Sequence, residues 1–497
     1  MNRASPLWRL WLEWQKKSLV EFDHLVQDWA RRINPNLVRM HYSTAIYHPG
    51  VNNFDIQQFA RVAFVGTEGT NVTFPAYARL FSQQRILSTY ARRYGRPSWP
   101  LYKAGGEIGP WAAWLAALTC SGPKVSSGIS MSPILKWPYW AEARRWAEPV
   151  ADVAVLLSAA TRDGSYPTAA LHCAEVHGWC QVFGLEGIQF NPVAGLFTTP
   201  EELASYAAVV VPHCESMPTD LVEIVHEYVK QGGVALVTGV PGRYDRLGFP
   251  LGKDSLLQRM GMYAIVPASR ITYDISRQQY GGRTDQTLSL ASEFMSGYTR
   301  KIAMLQGYRF DPVFLPGTGY VVLARFADGK PAVCSVEHGK GRYIYLGFLP
   351  GAMNYQERLH ASSVWQFHIQ PQVARFVRNL SLEATGRCDR IVVEGEGILS
   401  CAYRKGEKAW VRLLNILGTR DLQEGGRLGY GRQPSYPDLG AITLRIRMPL
   451  HGTPVLLTPD RNASLSLSAV QEDFGSVVEI PAGAFQRFAF VRMRVEK

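Results

Sequence analysis

Residues 207–238 constrain the fold of this chain more than any other stretch. Ala207 to Val211 is an unbroken apolar run that ends at Pro212. Leu221, Val225, Tyr228 and Val229 then recur at helical spacing, with Thr219 and Asp220 ahead of them as capping residues. Gly232-Gly233 stops that helix, and Val234 to Thr238 is apolar again. A strand, a helix, a glycine stop and a second strand in so short a span close as a βαβ unit, with the two strands parallel. Parallel strands need cover on both faces, so the pattern predicts an α/β fold.

The flanking sequence extends this unit and then departs from it. Val153 to Leu157 reads as another buried strand and Ala169 to Phe183 as a helix. Ala332 to Ser335, Gly339-Lys340-Gly341 and Arg342 to Phe348 read as a closing hairpin. Upstream, Trp8, Trp11, Trp14, Leu19, Phe22, Val26 and Trp29 mark one face of a helix over 7–33, ended by Asn34-Pro35. Short strands follow at Leu37–Tyr42, Val62–Gly66, Pro100–Ala104 and Lys124–Ile129, with helices over 75–94 and 111–118 between them. This alternation implies a second parallel sheet, open or barrel-like. From residue 386 onward strands dominate at close intervals, as in a β-sandwich. The expected domains are 1–145, 150–378 and 386–497.

Composition removes several function classes. The formal charge is +12 over 497 residues, but Lys and Arg are scattered, and the densest patches are pairs such as Arg31-Arg32 and Arg144-Arg145. With no basic run and no nucleic-acid-binding motif, no nucleic-acid partner is expected. No stretch of 18 uncharged apolar residues occurs, so no membrane partner is expected either. Arg9, Glu13, Lys16 and Lys17 interrupt any apolar leader, and seven cysteines form no disulfide framework. A cytoplasmic protein is the expectation. The 13 Trp, 23 Tyr and 21 Phe supply faces for sugar stacking, and they supply core filling equally well.

Together these pieces resemble the glycoside hydrolase family 42 β-galactosidases and their relatives. The resemblance rests on Val209-Val210-Val211-Pro212, on Tyr228-Val229-Lys230-Gln231-Gly232-Gly233, and on Gly339-Lys340-Gly341 with Arg342 to Gly347. Ala409 to Asn415 and the Pro454 to Asp460 stretch extend it more loosely. It implies a partial TIM barrel corresponding to the second half, then an amidotransferase- or flavodoxin-like α/β domain used for trimerisation, then a C-terminal β-sandwich. It implies no cofactor and no metal. Partners would be a carbohydrate substrate and a homo-oligomer, a trimer, or a partner chain completing the barrel.

A retaining glycosidase needs two carboxyl groups about 5.5 Å apart, one as acid/base and one as nucleophile. In the family these are a Glu after an Asn at the end of strand four and a Glu at the end of strand seven. The chain contains no Asn-Glu dipeptide, and the resemblance begins after strand four. Glu107, in Lys103-Ala104-Gly105-Gly106-Glu107, matches the nucleophile's place, with Trp111 as a sugar platform. Glu68 closes strand six and is the second candidate carboxylate; His41 closes strand five and is a candidate hydrogen-bond donor to sugar. A solvated loop Glu, a turn Glu and a half-buried His explain the same residues without chemistry.

Two further patterns compete. Cys173, His177 and Cys180 have the spacing of one helical face and the chemistry of zinc ligands, but the segment reads as a core helix. Cys214 follows a buried strand where an amidotransferase nucleophile would stand, yet Pro212-His213-Cys214-Glu215-Ser216 lacks the small residues of a nucleophile elbow. The expected function is therefore glycoside-hydrolase-like, retaining and β-galactosidase-like, with little turnover by this chain alone because the acid/base half is absent. The alternative is a non-catalytic carbohydrate-binding or assembly protein.

Overall fold

The computed structural model describes residues 5–43, 64–69, 77–102, 114–119, 124–125, 136–143, 147–164, 166–265, 272–274, 279–281, 286–289, 301–304, 309–326, 328–354, 358–359, 365–366, 371–386, 390–417, 438–460, 463–473 and 475–496. Helix α1 spans Pro6–Ile33, opened by a proline in its first turn and closed at Asn34. Strand β1 (Met40–Ser43), β2 (Phe64–Gly69), β3 (Ser98–Tyr102) and β4 (Lys124–Val125) form a four-stranded sheet in chain order. Every pair in it is parallel. Helix α2 (Tyr77–Arg93) crosses between β2 and β3. The predicted alternation of helix and short strand is present, displaced by two or three residues at its ends.

Strand β5 (Glu148–Pro149) leads to β6 (Val153–Leu157), α3 (Tyr166–Leu185), β7 (Phe190–Ala194) and β8 (Ala208–Pro212). Helix α4 (Thr219–Lys230) and β9 (Val234–Thr238) complete the predicted βαβ unit, with Val209 level with Ala235 in a parallel register. The cap differs from expectation. Thr219 and Asp220 lie inside the helix, and Pro218 takes the N-cap position with no side-chain hydrogen bond. Strands β10 (Val321–Arg325), β11 (Pro331–His338) and β12 (Gly341–Leu346) finish a seven-stranded sheet ordered β10-β11-β12-β9-β8-β6-β7. Its five parallel strands run second, first, third, fourth, fifth in order of appearance, a doubly wound arrangement whose switch point lies between β6 and β8. Helices α5 (Pro350–Asn354) and α6 (Pro371–Ala384) follow.

Helix α3 is buried along most of its length, which is why no single apolar stripe marks it in the sequence. It lies so close to α5 that a Cβ on Gly178 would fall 1.8 Å from the Gly351 carbonyl oxygen. Four two-stranded antiparallel ribbons lie between residues 262 and 366, and the C-terminal strands form two larger antiparallel sheets, one of four strands beginning at Ile391–Glu394, the other of six with β5 at its edge. Their facing sides share a core that includes Ile391, Val411, Leu413, Leu444, Val478 and Val491.

Side chains join these layers. Arg85 of α2 donates to the Tyr403 hydroxyl at 2.6 Å, and Arg412 donates to the Ala117 carbonyl at 2.6 Å. Trp114 stacks on Phe488 with ring centroids 4.8 Å apart. A single apolar cluster therefore runs from α2 through the seven-stranded sheet into the six-stranded one.

Candidate functional site

The four parallel strands β1–β4 set their carboxyl ends along one rim, and that rim is where a parallel sheet collects functional groups. Glu68 is the penultimate residue of β2 and stands level with Leu101 of β3, one residue short of that strand's end. His41 is level with Val65, three residues nearer the amino ends, or about 10 Å further from the rim along the strand. Backbone register thus places Glu68 at the rim and His41 below it. Glu107 and Trp111 lie outside the described residues, five and nine positions beyond the end of β3.

Helix α1 is fixed by its charged side. Lys16 pairs with Asp163, and Asp163 also accepts two bonds from Arg162, at 2.7 and 2.9 Å. All three side chains are buried, so Asp163 is a countercharge shared by two cations out of contact with water, and Glu13 adds a longer pair to Lys16 at 3.9 Å. Burial pushes the Asp163 carboxyl up, and Arg162 and Lys16 outweigh it to hold the group below the usual carboxylate range. Arg9 donates to the Ser216 hydroxyl at 2.8 Å. These contacts close the switch-point crevice at the carboxyl ends of β6 and β8 with α1, leaving a cavity of about 40 Å³ lined by Lys16, Ser158, Arg162 and Arg246. This latch is invisible in the sequence, because Lys16 and Asp163 are separated by 147 positions and neither sits in a motif.

At the end of β8 the chain turns through His213, the only non-glycine residue with positive φ among the described ones, at 46°. Its backbone N–H donates to Thr238 Oγ1 at 3.0 Å, and its ring packs on Phe310. Gly239 must be glycine here, since a Cβ would lie 2.0 Å from His213 Nδ1. Burial lowers the His213 pKa to about 3, so the ring is neutral. His172 donates from Nδ1 to the Pro212 carbonyl at 2.7 Å and accepts the Ser158 N–H at Nε2, 3.2 Å away. With both nitrogens engaged and its pKa lowered to about 4 by burial, it cannot take a proton from a neighbour.

Cys214 is fully buried, and burial, with Glu175 nearby, pushes its thiol well above the ordinary value. A thiol without solvent access, a thiolate or a free base is not a nucleophile, so the geometry opposes an amidotransferase-like reaction at Cys214. The zinc spacing on α3 resolves in the same way. His177 Nδ1 lies 2.6 Å from the Ser82 hydroxyl, and Cys173 and Cys180 are core residues. Among the described residues no three His, Cys, Asp or Glu side chains gather as a metal-holding group. Among them, too, no helix is long and apolar enough to cross a membrane.

No family model matches the sequence, and no curated protein matches it. Solved structures do. The β-galactosidase from Bacillus circulans sp. alkalophilus superposes with a TM-score of 0.63 at 14% identity, covering 97% of this chain and 67% of that one. A GH42 β-galactosidase from G. stearothermophilus gives 0.62 at 13% identity, covering 97% and 68%. The chain shares its fold with these enzymes. An α-L-fucosidase from Paenibacillus thiaminolyticus matches as well, with a TM-score of 0.64 at 11% identity over 96% of this chain and 71% of that one. The likeness to the GH42 enzymes confirms the expected resemblance, and this chain spans about two thirds of each neighbour's length.

Proposed function

We propose that this chain is the nucleophile-bearing part of a retaining glycoside hydrolase acting on β-linked sugars, most directly β-galactosides. The reading divides the chain into a partial TIM barrel over 1–145, a trimerising α/β domain over 150–378 and a β-sandwich over 386–497. The observation that carries it is the four-stranded parallel sheet with Glu68 at its carboxyl rim and Glu107 shortly beyond β3, in a fold shared with β-galactosidases. Glu107 is the proposed nucleophile and attacks the anomeric carbon. Glu68 and His41 are proposed to hold sugar hydroxyls, and Trp111 to stack on the ring.

The acid/base carboxyl comes from a barrel half that these residues do not include, carried either by a partner polypeptide or by a longer chain of which this is a part. Without that carboxyl the leaving oxygen departs unprotonated, and turnover falls by about 10²–10⁴-fold. The test is hydrolysis of p-nitrophenyl β-D-galactoside by the completed barrel. Loss in Glu107→Gln with survival in Glu68→Gln is the expected result; equal activity in both overturns the assignment. Faster cleavage of the α-L-fucoside would keep the hydrolase and replace the substrate.

A second reading has its own observation. Helix α1 presents Trp14 and Trp29 to solvent at 64% and 62% exposure, and among the described residues β1 ends its sheet, as an assembly or carbohydrate-binding protein would require. Calorimetry that detects galactose binding to a chain with no hydrolytic activity in the completed barrel would establish it.

A further inference from the structure

The segment that follows β9 builds a cleft of its own. Gly242 turns the chain with φ 66°, and a Cβ there would meet the Leu256 backbone nitrogen at 2.9 Å, so the turn packs directly on the short helix Leu256–Arg259. Tyr244 is tied to the turn after β8 at both backbone groups. Its N–H donates to the Glu215 carbonyl at 3.0 Å, and its carbonyl accepts the Met217 N–H at 2.9 Å. Next in sequence after the short helix, the strand Met262–Ile265 carries Tyr263 and pairs antiparallel with Asp311–Phe314. These pieces line an open cleft of about 590 Å³, a size that suits a small ligand. Its base is apolar, from Val240, Pro241 and Leu257, all buried.

The polar groups around that base are left without protein partners. Arg243 lies over the Tyr244 ring at 5.2 Å and has Glu215 3.6 Å away, beyond hydrogen-bond distance. The Arg243 guanidinium, Lys253 Nζ, the Gln258 side-chain amide and the hydroxyls of Tyr244 and Tyr263 make no hydrogen bond to a described residue. Among the described residues no carboxylate lines the cleft. Asp245 accepts the Leu247 and Phe249 N–H groups, and Asp254 pairs with Arg259 at 3.8 Å. Glu215 answers Arg243 and no described carboxylate answers Lys253, so the cleft carries net positive charge. Each property selects one part of a ligand. The apolar base and the tyrosine rings suit the C–H face of a sugar ring. The free amide and hydroxyls suit ring hydroxyls, and the two cations suit a carboxylate or a sulfate. A nucleotide fits less well, because the α-helix that begins at the cleft has four residues and its Ser255 cap is taken by the Gln258 N–H.

The geometry points to a binding site for an acidic saccharide in this cleft, with the anionic group on Arg243 and Lys253, the ring against Tyr244 and Tyr263, and a hydroxyl on Gln258. The site belongs to the seven-stranded sheet, at the carboxyl end of β9, and takes no part in bond cleavage. Calorimetry of the full chain tests it with three probes: digalacturonate, galactose 6-sulfate and neutral galactobiose. An acidic probe should bind once per chain and at least about tenfold more tightly than galactobiose, and salt at about 0.5 M should remove most of that margin. Whichever acidic probe binds more tightly tells a carboxylate ligand from a sulfate one. Lys253→Gln and Arg243→Gln should each weaken binding by about tenfold or more, and Tyr263→Ala by about fivefold. All three side chains are exposed, so the urea midpoints should stay at the parental value. Lys340→Gln, at an exposed cation in the β11–β12 turn, should leave binding unchanged. Equal weakening by Lys340→Gln would trace the effect to the chain's overall charge of +12 and overturn the site. Equal affinity for galactobiose, no binding of either acidic probe, or tighter binding of AMP would overturn it as well. Glu107→Gln should leave these affinities intact; loss of binding in that variant would move the probe to the rim of β1–β4 and end the inference. A completed barrel that fails to cleave galactosides while an acidic probe still binds would sink the hydrolase reading and leave this site standing.

Discussion

Replacing Asp163 with Ala is the sharpest test of how α1 is held. The Asp163 side chain is 7% exposed, Lys16 is 6% and Arg162 is 2%. Neither cation can recover its hydration unless α1 lifts away, so the substitution takes the shared carboxylate from two buried cations, with Lys16 keeping Glu13 at 3.9 Å. Removing one partner of a buried pair costs about 3–5 kcal/mol, and sharing by two cations puts this case toward the upper end. Lys16→Met should cost less, about 1–2 kcal/mol, because Asp163 keeps both bonds from Arg162. The double variant Lys16→Met/Asp163→Ala should then be less damaging than the sum of the singles by at least about 1 kcal/mol. Urea titration followed by tryptophan fluorescence gives the energies, and amide exchange along α1 locates them. The pH dependence has a defined sign. The folded Asp163 pKa is depressed, so its contribution is complete above the unfolded value of about 3.9 and is lost as pH falls through the folded one. An Asp163→Ala protein within about 1 kcal/mol of the parent, with α1 exchange unchanged, would refute the latch.

Glu175 should titrate in the opposite sense. Burial raises its pKa to about 7 although Trp179 and the Ala352 N–H donate to it at 2.8 and 2.7 Å. The native state thus holds its proton longer than the unfolded chain, and stability on the order of 3 kcal/mol should drain away as pH rises from about 4.3 to about 7. Glu175→Gln should flatten that slope in denaturation curves at pH 5 and pH 7; an unchanged slope would show that another group is responsible. Gly178→Ala should destabilise by about 3 kcal/mol or abolish soluble expression, because the new Cβ meets the Gly351 backbone rather than a movable side chain. A Gly178→Ala protein with parental urea midpoint would mean that α3 and α5 can separate freely. Gly239→Ala should be similarly damaging through His213, and recovery in Gly239→Ala/His213→Ala would identify the ring as the obstacle.

The fold was legible wherever one sequence signal met one structural demand. Val153–Leu157 and Val234–Thr238 coincide with the expected strands to the residue, since each is a short apolar run with polar or Gly/Pro-containing turns around it. The strands Ala463–Ser466 and Ala469–Glu472 escaped notice because the second is exposed on both faces and the first is Ala, Leu and Ser, so burial imposes no alternation. The Trp face of α1 was visible as a pattern, but its direction was not. The buried side is set by Lys16, Arg9 and their distant partners, and periodicity alone ranks a tryptophan above a lysine for the interior. For the candidate site, sequence order supplied Glu68 at the end of a strand, and the register with β3 bears out that position. His41 reads in the sequence as a strand-end residue, whereas β1 continues through Ser43 and leaves it below the rim.

The central claim is that Glu107 is the nucleophile of a retaining glycosidase, and covalent trapping tests it most directly. In 2,4-dinitrophenyl 2-deoxy-2-fluoro-β-D-galactoside the leaving group departs without protonation, so the reagent needs the nucleophile and not the acid/base. The completed barrel would be incubated with it, digested and mapped by mass spectrometry. The account predicts a fluorogalactosyl ester on the peptide containing Glu107, absent in Glu107→Gln. An ester on Glu68, or an intact protein with no adduct, would contradict it.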